Sequence, residues 1–189
     1  MKPEEVMESI EVEASLRGLP IIGPRRGALL DETIERHRPS TVLEVGTNVG
    51  YSAIRMGRLL EKGGKVTCVE LDEHLARVAR TNIAKAGLAN RIQVIVGDAK
   101  QVLPALRGTF DMVFLDAVKD EYFTYLRECE RMLHPGSVVV ADNVKSHSSE
   151  VVNYLEYVRS SGRYKSDYVE APPNYGSDSG DAVEVSVRL

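Results

Sequence analysis

Thr41–Leu60, TVLEVGTNVGYSAIRMGRLL, reads as a strand, a turn and a helix in immediate succession. Thr41–Val45 is rich in β-branched and apolar residues, the composition of a strand buried on both faces. Gly46 and Gly50 bracket the turn, and Ala53, Ile54, Met56, Leu59 and Leu60 then recur at helical spacing through Tyr51–Leu60. This order leaves backbone N–H groups free at the helix start, with the positive end of the helix dipole behind them. A glycine at such a turn lets a ligand come close to the main chain, which a Cβ would prevent. An ordinary βα connection with two turn glycines looks the same, and the full G-x-G-x-x-G pattern is absent, so the turn alone does not specify a nucleotide.

Downstream, Lys65–Glu70, Arg91–Val96, Phe110–Leu115 and Ser137–Ala141 read as further strands, separated by helices over Glu73–Ala86, Lys100–Arg107 and Tyr122–Leu133. Such alternation predicts a parallel sheet covered on both faces. After a helix over Glu150–Arg159 the pattern changes. Tyr164–Val169 and Ala182–Leu189 are strands with no helix between them, so the last strand returns antiparallel to its neighbour. The expected fold is α/β and Rossmann-like, with a mostly parallel seven-stranded sheet, an antiparallel last strand and helices on both faces. That ending is the layout of class I methyltransferases, whereas a dinucleotide dehydrogenase would continue into a second mononucleotide half. Upstream, Glu4–Arg17 and Ala28–His37 read as helices, and Gly18–Gly27 (GLPIIGPRRG) as a loop that either covers a site or simply connects. A single domain over residues 1–189 is expected, residues 1–40 forming an N-terminal helical cap and substrate-side loop and residues 41–189 the core.

Composition narrows the function. With 189 residues, 43% hydrophobic and 28% charged, the chain has the balance of a soluble globular protein. A net charge of −4 argues against a nonspecific grip on nucleic acid. The three Phe and eight Tyr are dispersed and form no stacking platform for single strands. No apolar run approaches the roughly 20 residues that span a bilayer, and Met-Lys-Pro-Glu-Glu lacks the apolar core of a signal peptide. Cys68 and Cys129 show neither pairing nor metal-ligand spacing and read as reduced, buried thiols, so a cytoplasmic location is expected.

In open α/β sheets ligands bind beyond the carboxyl ends of the strands, and polar residues collect there. Glu70 closes the second strand twenty positions beyond Gly50, a separation that suits a carboxylate on both ribose hydroxyls of a nucleoside. Asp98, after the third strand, suits either an adenine amine or a cap on the following helix. Asp116 follows the fourth strand, and Asp142 with Asn143 the fifth. Two carboxylates and an amide oxygen with no Cys or His suit Mg²⁺; Ca²⁺ and Mn²⁺ accept the same ligands. Turn and cap chemistry explains any one of these residues alone, but not three converging on a topological switch point. Lys119 lies in Asp116-Ala117-Val118-Lys119, where a nearby cation would disfavour its ammonium form and fit it for general-base work. Of the four histidines only His147 falls close to these residues.

The stretches VLEVGTNVGYSAIRMGRLL, VELDEH, MVFLDAVKDEYF and VVVADNV resemble the cation-dependent O-methyltransferases, the group that holds catechol O-methyltransferase and caffeoyl-CoA O-methyltransferase. The matching region runs from about Val42 to Val144, and the pairing of Asp-x-x-Lys-Asp with a later Ala-Asp-Asn is its most specific part. The resemblance implies S-adenosylmethionine as methyl donor, with Glu70 on its ribose and Leu71 beside it. It places Gly46, Asn48 and Ser52 at the methionine end, Asp98 and Ala99 near the adenine, and Ile22, Glu44 and Asp116 among the cofactor contacts. Asp116, Asp142 and Asn143 would hold Mg²⁺, and Lys119 would be the base. The acceptor would be a vicinal dihydroxy aromatic small molecule, and a homodimer is the assembly the family suggests. In catechol O-methyltransferase tryptophans wall the substrate; here there are none, and Val118 stands at one of those places. The glutamate that holds the second hydroxyl there has Glu170, Asn174 and Tyr175 as candidate counterparts.

Three rival readings fit parts of the pattern. A methyltransferase acting on a hydroxylated tRNA base would use the same metal and lysine, with Arg25, Arg26 and Lys145 as a basic rim. A nicotinamide-dependent oxidoreductase is disfavoured by the antiparallel ending. A noncatalytic cofactor-binding protein has no use for Asp116, Asp142, Asn143 and Lys119 together.

Overall fold

The computed structural model describes residues 1–171, 173 and 180–189; Asn174 and Tyr175 lie outside the described residues. The central strand β1 (Thr41–Val45) is buried on both sides, and its alternating side chains feed two separate cores. Val42 packs with Val66, Met112 and Phe114 on one face, and Leu43 and Val45 pack with Val113, Leu115 and Val139 on the other. Glu44 therefore points into the first core, where a carboxylate needs a reason to be.

β1 pairs in parallel with β2 (Lys65–Glu70) and β4 (Met112–Leu115). Outside these lie β3 (Ile92–Val96) and β5 (Val138–Ala141), also parallel. β7 (Asp181–Arg188) runs antiparallel between β5 and β6 (Tyr164–Ala171), completing the order β3-β2-β1-β4-β5-β7-β6. The expected seven-stranded sheet and its antiparallel return are both present. Helices α1 (Pro3–Arg17), α2 (Gly23–His37), α3 (Tyr51–Leu59) and α4 (Glu73–Lys85) supply the first core, and α5 (Ala99–Ala105), α6 (Tyr122–Cys129) and α7 (Val152–Ser160) the second. Among the described residues, no helix is long and apolar enough to cross a membrane. Cys68 and Cys129 are both buried free thiols.

The expected Gly18–Gly27 loop is shorter than its glycines and prolines imply, because α2 begins at Gly23. Pro24 sits in the first helical turn, where its missing N–H costs nothing and its fixed φ is already helical. Gly27 is tolerated inside the helix because the Arg55 side chain fills its neighbourhood; a Cβ there would meet Arg55 Nε at 2.6 Å. Arg55 grips Asp31 with two hydrogen bonds, Nε at 2.9 Å and Nη2 at 2.8 Å, and Arg58 adds a third at 2.7 Å. Arg55 also donates to the Tyr51 hydroxyl, which donates to Glu11 at 2.6 Å. This largely buried network fastens α1 and α2 to α3, and with them the segment Gly18–Ile22 over the sheet's carboxyl edge.

Candidate active site

At the switch point the chain leaves β1 toward β2 on one side and β4 on the other, and a cavity of about 720 Å³ lies at the strands' carboxyl ends. Ile22, Gly46, Asn48, Ser52, Glu70, Leu71, Asp98, Ala99, Asp116, Lys119, Asp142 and Asn143 all line it. Of the residues singled out as cofactor or metal ligands, Glu44 is the exception: it lies behind the wall, with no exposed surface.

Gly46 is required by the protein rather than by a ligand. Its φ is +93°, and a Cβ would stand 2.3 Å from the Asp116 carbonyl oxygen, because the tips of β1 and β4 approach there. Gly50, with φ +86°, would meet Ala79 of α4 at 3.2 Å. Both glycines thus serve close packing of chain on chain. Between them Asn48 adopts φ +50° and its side-chain amide donates to the Pro20 carbonyl at 2.7 Å, binding the turn to the α1–α2 connection.

The Glu70 carboxylate accepts from the backbone N–H groups of Thr47 (3.1 Å), Asn48 (2.7 Å) and Asp72 (3.0 Å). A carboxylate has about four lone-pair sites, so these bonds fix its orientation and leave capacity for a hydroxyl donor. Asp98 caps α5 by accepting from Lys100 N at 2.9 Å and also lines the cavity, so the cap leaves the residue in reach of a ligand there. Glu44 accepts from the hydroxyls of Ser52 and of Thr47, the latter at 2.7 Å. Burial pushes its carboxyl up to about 7, against the lowering effect of those hydroxyls. Glu44 thus meets the cavity through Ser52 and Thr47.

The other half of the site is built on β4 and β5. Asp116 N and Asp142 N extend the sheet ladder, donating to Val45 O (2.9 Å) and Leu115 O (3.0 Å), which sets both carboxylates at adjacent strand tips. Lys119 Nζ donates to Asp116 Oδ1 at 2.7 Å and to the Tyr122 hydroxyl at 2.9 Å; that hydroxyl donates to the Asp142 carbonyl at 3.1 Å. Asp142 is fully buried. Its Oδ1 accepts from Asn143 N at 2.8 Å, but Oδ2 has no hydrogen-bond partner. The nearest cationic group to Oδ2 is Arg26 Nη2, at 3.7 Å. Burial first, and then the charge of Asp116, pushes the Asp142 carboxyl up to about 7. Among the described residues no group of three or more His, Cys, Asp and Glu has metal-binding geometry. A cation here therefore needs the amide oxygen of Asn143 and solvent beside the two carboxylates, a set that suits hard ions such as Mg²⁺. The orphaned Oδ2 and the crowded negative charge fit such an ion.

Three residues of the site were not singled out as ligands from the sequence. Tyr122 positions Lys119, and nothing in its local pattern distinguishes it from a core tyrosine. Arg26, read as part of a basic rim, instead points inward and donates to Asp181 at 2.9 Å. Asp181 opens β7 and also accepts from the Asn143 side chain at 2.8 Å. The rest of the supposed rim is likewise engaged: Lys145 pairs with Glu170 at 3.0 Å, and Arg25 donates to Pro173 O at 2.8 Å. His147 lines the cavity with its Nδ1 2.9 Å from Ser146 Oγ.

A family model described as O-methyltransferase matches residues 6–160. Catechol O-methyltransferase B of Danio rerio is 38% identical over 175 residues, which cover 89% of this chain and 65% of that protein. The chain thus spans just under two thirds of that relative's length. Among solved structures, an O-methyltransferase from Bacillus cereus in complex with SAH superposes with a TM-score of 0.85 at 27% identity, over 99% of this chain and 90% of that one. The O-methyltransferase TomG of Streptomyces achromogenes, in complex with SAM, gives 0.86 at 25% identity over 98% and 90%. With that family model matching residues 6–160 of this 189-residue chain, and the whole fold superposing on solved O-methyltransferases, this chain belongs to the O-methyltransferase family.

Proposed function

We propose that this chain transfers a methyl group from S-adenosylmethionine to one hydroxyl of a vicinal dihydroxy aromatic small molecule, with a divalent cation, Mg²⁺ in the first instance, as an essential component. The observation that carries this is the buried Asp142 Oδ2, without a hydrogen bond and 3.7 Å from Arg26 Nη2, beside an Asp116 whose Oδ1 lies 2.7 Å from Lys119 Nζ. The S-adenosylmethionine-bearing and SAH-bearing relatives support the donor, and the catechol O-methyltransferases support the acceptor class.

Glu70 would hold the ribose hydroxyls, Asp98 and Ala99 the adenine, and Ser52, Asn48 and Gly46 the methionine end. Asp116, Asp142 and Asn143 would hold the cation, which when bound lowers the pKa of a coordinated hydroxyl and fixes its position. Lys119, as the neutral amine that a cation at this place would favour, would take the hydroxyl proton and become the ammonium; the hydrogen bond to Tyr122 keeps its Nζ directed at Asp116 rather than at solvent. Methyl transfer from a sulfonium to an oxyanion consumes charge rather than creating it. Positioning of the two reactants by the strand tips therefore supplies much of the acceleration. Ile22 and Val118 offer apolar surface to the acceptor ring in place of tryptophan walls.

The test is methyl transfer from radiolabelled S-adenosylmethionine to a panel of catechols and hydroxycinnamoyl thioesters, with Mg²⁺ and with EDTA. Activity on the vicinal diols that disappears in EDTA and returns with Mg²⁺ is expected. Equal rates under both conditions would sink the cation's role.

A further inference from the structure

Asp181 lies 38 positions from Asn143, on a strand that reaches the site only because β7 inserts beside β5. It is buried, and each of its carboxylate oxygens has its own set of donors. Oδ1 accepts from backbone N–H groups alone: Ser146 at 3.0 Å, Lys145 at 3.3 Å and Ala182 at 2.8 Å. Oδ2 accepts from side chains: Asn143 Nδ2 at 2.8 Å, Ser146 Oγ at 2.7 Å and Arg26 Nη1 at 2.9 Å. An ionised carboxylate only accepts, so the Asn143 group facing it must be the NH₂ end of the carboxamide. Asn143 is itself at φ +62°, in the left-handed region that asparagine tolerates better than most non-glycine residues.

We propose that Asp181 is a positioning residue of the cation site: by taking the amide nitrogen of Asn143 it leaves the carboxamide oxygen as the end presented to the ion. Arg26 braces the arrangement from α2, with one nitrogen on Asp181 and the other 3.7 Å from the unpartnered Asp142 oxygen. This holds only if the site takes a divalent ion, as proposed above. Partners of this kind orient metal ligands, and their loss typically costs about 10–100-fold in metal affinity.

The consequence of Asp181→Asn follows from the donors. Three backbone N–H groups cannot turn over, so the new amide must keep its oxygen toward them and place its NH₂ where Oδ2 was. The new NH₂ then faces two donors, Asn143 Nδ2 and Arg26 Nη1: Asn143 relieves its contact by flipping, which turns its nitrogen toward the ion, while Arg26 must withdraw from position 181. Exchanging the pair, Asn143→Asp with Asp181→Asn, reverses the hydrogen bond and returns an oxygen to the ion.

The experiment is a Mn²⁺ titration of the full chain saturated with S-adenosylhomocysteine, followed by electron paramagnetic resonance of the free ion. Asp181→Asn and Asn143→Ala should each weaken Mn²⁺ by about 10–100-fold, with S-adenosylhomocysteine affinity within about 2-fold of the parent. The exchanged pair should recover Mn²⁺ binding to within about 5-fold of the parent and bind more tightly than Asn143→Asp alone; the added carboxylate is common to both, so a difference between them reports the hydrogen bond from position 181. Asp181→Asn binding Mn²⁺ like the parent while Asn143→Ala loses it would overturn the positioning role and leave the cation site standing. If Asp181→Asn fails to fold, the exchanged pair decides alone: folded protein without Mn²⁺ affinity rejects the proposal. A parent that binds no Mn²⁺ would remove the cation site and the positioning role together.

Discussion

Lys119 is held by two partners, Asp116 and Tyr122, and the second of these is itself tied to the Asp142 backbone. The base proposed here, suspended between the strands that carry Asp116 and Asp142, should be removable without disturbing the proposed donor pocket. Lys119→Ala should lower kcat by about 10²–10⁴-fold, the usual contribution of a general base. S-adenosylhomocysteine affinity by calorimetry should stay within about 2-fold; a matching loss of affinity would mean Lys119 binds rather than reacts. At the opposite end of the sheet His134 has both ring nitrogens on acceptors, Nδ1 on Pro135 O and Nε2 on Asp111 Oδ1, each at 2.9 Å. Two acceptors call for two N–H groups, so the imidazolium is favoured, and its pKa is raised by the Pro135 carbonyl and then by Asp111. The stability this pair supplies is complete below the unfolded histidine value of 6.5 and is lost as pH rises through the higher folded value. Urea midpoints should therefore fall above pH 6.5, and His134→Gln should flatten that slope. Neither behaviour can be foreseen from a lone His in a sequence, because the acceptors come from Asp111 and from a turn.

At the scale of elements, the β1–α3 turn transmits the geometry of one strand tip to the next. Gly46→Ala places a Cβ on the Asp116 carbonyl at a φ of +93°, so it should cost about 2–4 kcal/mol in urea unfolding. It should also weaken cofactor binding, because Asp116 and the turn must separate; unaltered affinity would show the tips to be independent. The Arg55–Asp31–Arg58 network is the second such link. Asp31 is 17% exposed at its side chain, so Asp31→Ala should cost about 2 kcal/mol, below the 3–5 typical of fully buried pairs. Hydrogen exchange in α1 and α2 should rise more than in β1–β5; uniform loosening would show that the network does not fasten these helices specifically. Element type was legible throughout, since strand and helix periods differ and Gly and Pro punctuate them. Boundaries were less so: α2 starts at Gly23, inside the Gly18–Gly27 stretch that composition marks as loop, because Pro24 is as welcome in a first helical turn as in a connector.

Across the whole molecule, residues far apart in the chain are brought onto one cavity, and it is there that sequence and structure divide the work. The alternation of strands and helices dictates a parallel sheet, and the missing helix before the last strand dictates an antiparallel return. From that follow the switch point and the gathering of Asp116, Asp142, Asn143 and Lys119, residues marked by their place at strand ends. These were readable because local spacing determines where a strand stops and which residue follows it. The order of β6 and β7 is a tertiary matter. Only when β7 slips between β5 and β6 does Asp181 arrive beside Asn143, and only when α2 packs on α3 does Arg26 reach Asp181 across 155 positions. Glu44 is displaced behind the cavity wall by the same logic, since its strand position fixes its face but only packing shows that Ser52 and Thr47 stand in front of it. What the sequence determined by itself was the sheet, its switch point and the chemical kinds gathered there, because these depend on period and adjacency along the chain. Which group bonds to which, and so which end of an amide or which oxygen of a carboxylate stays free for a ligand, was decided by non-local contacts that no single stretch encodes.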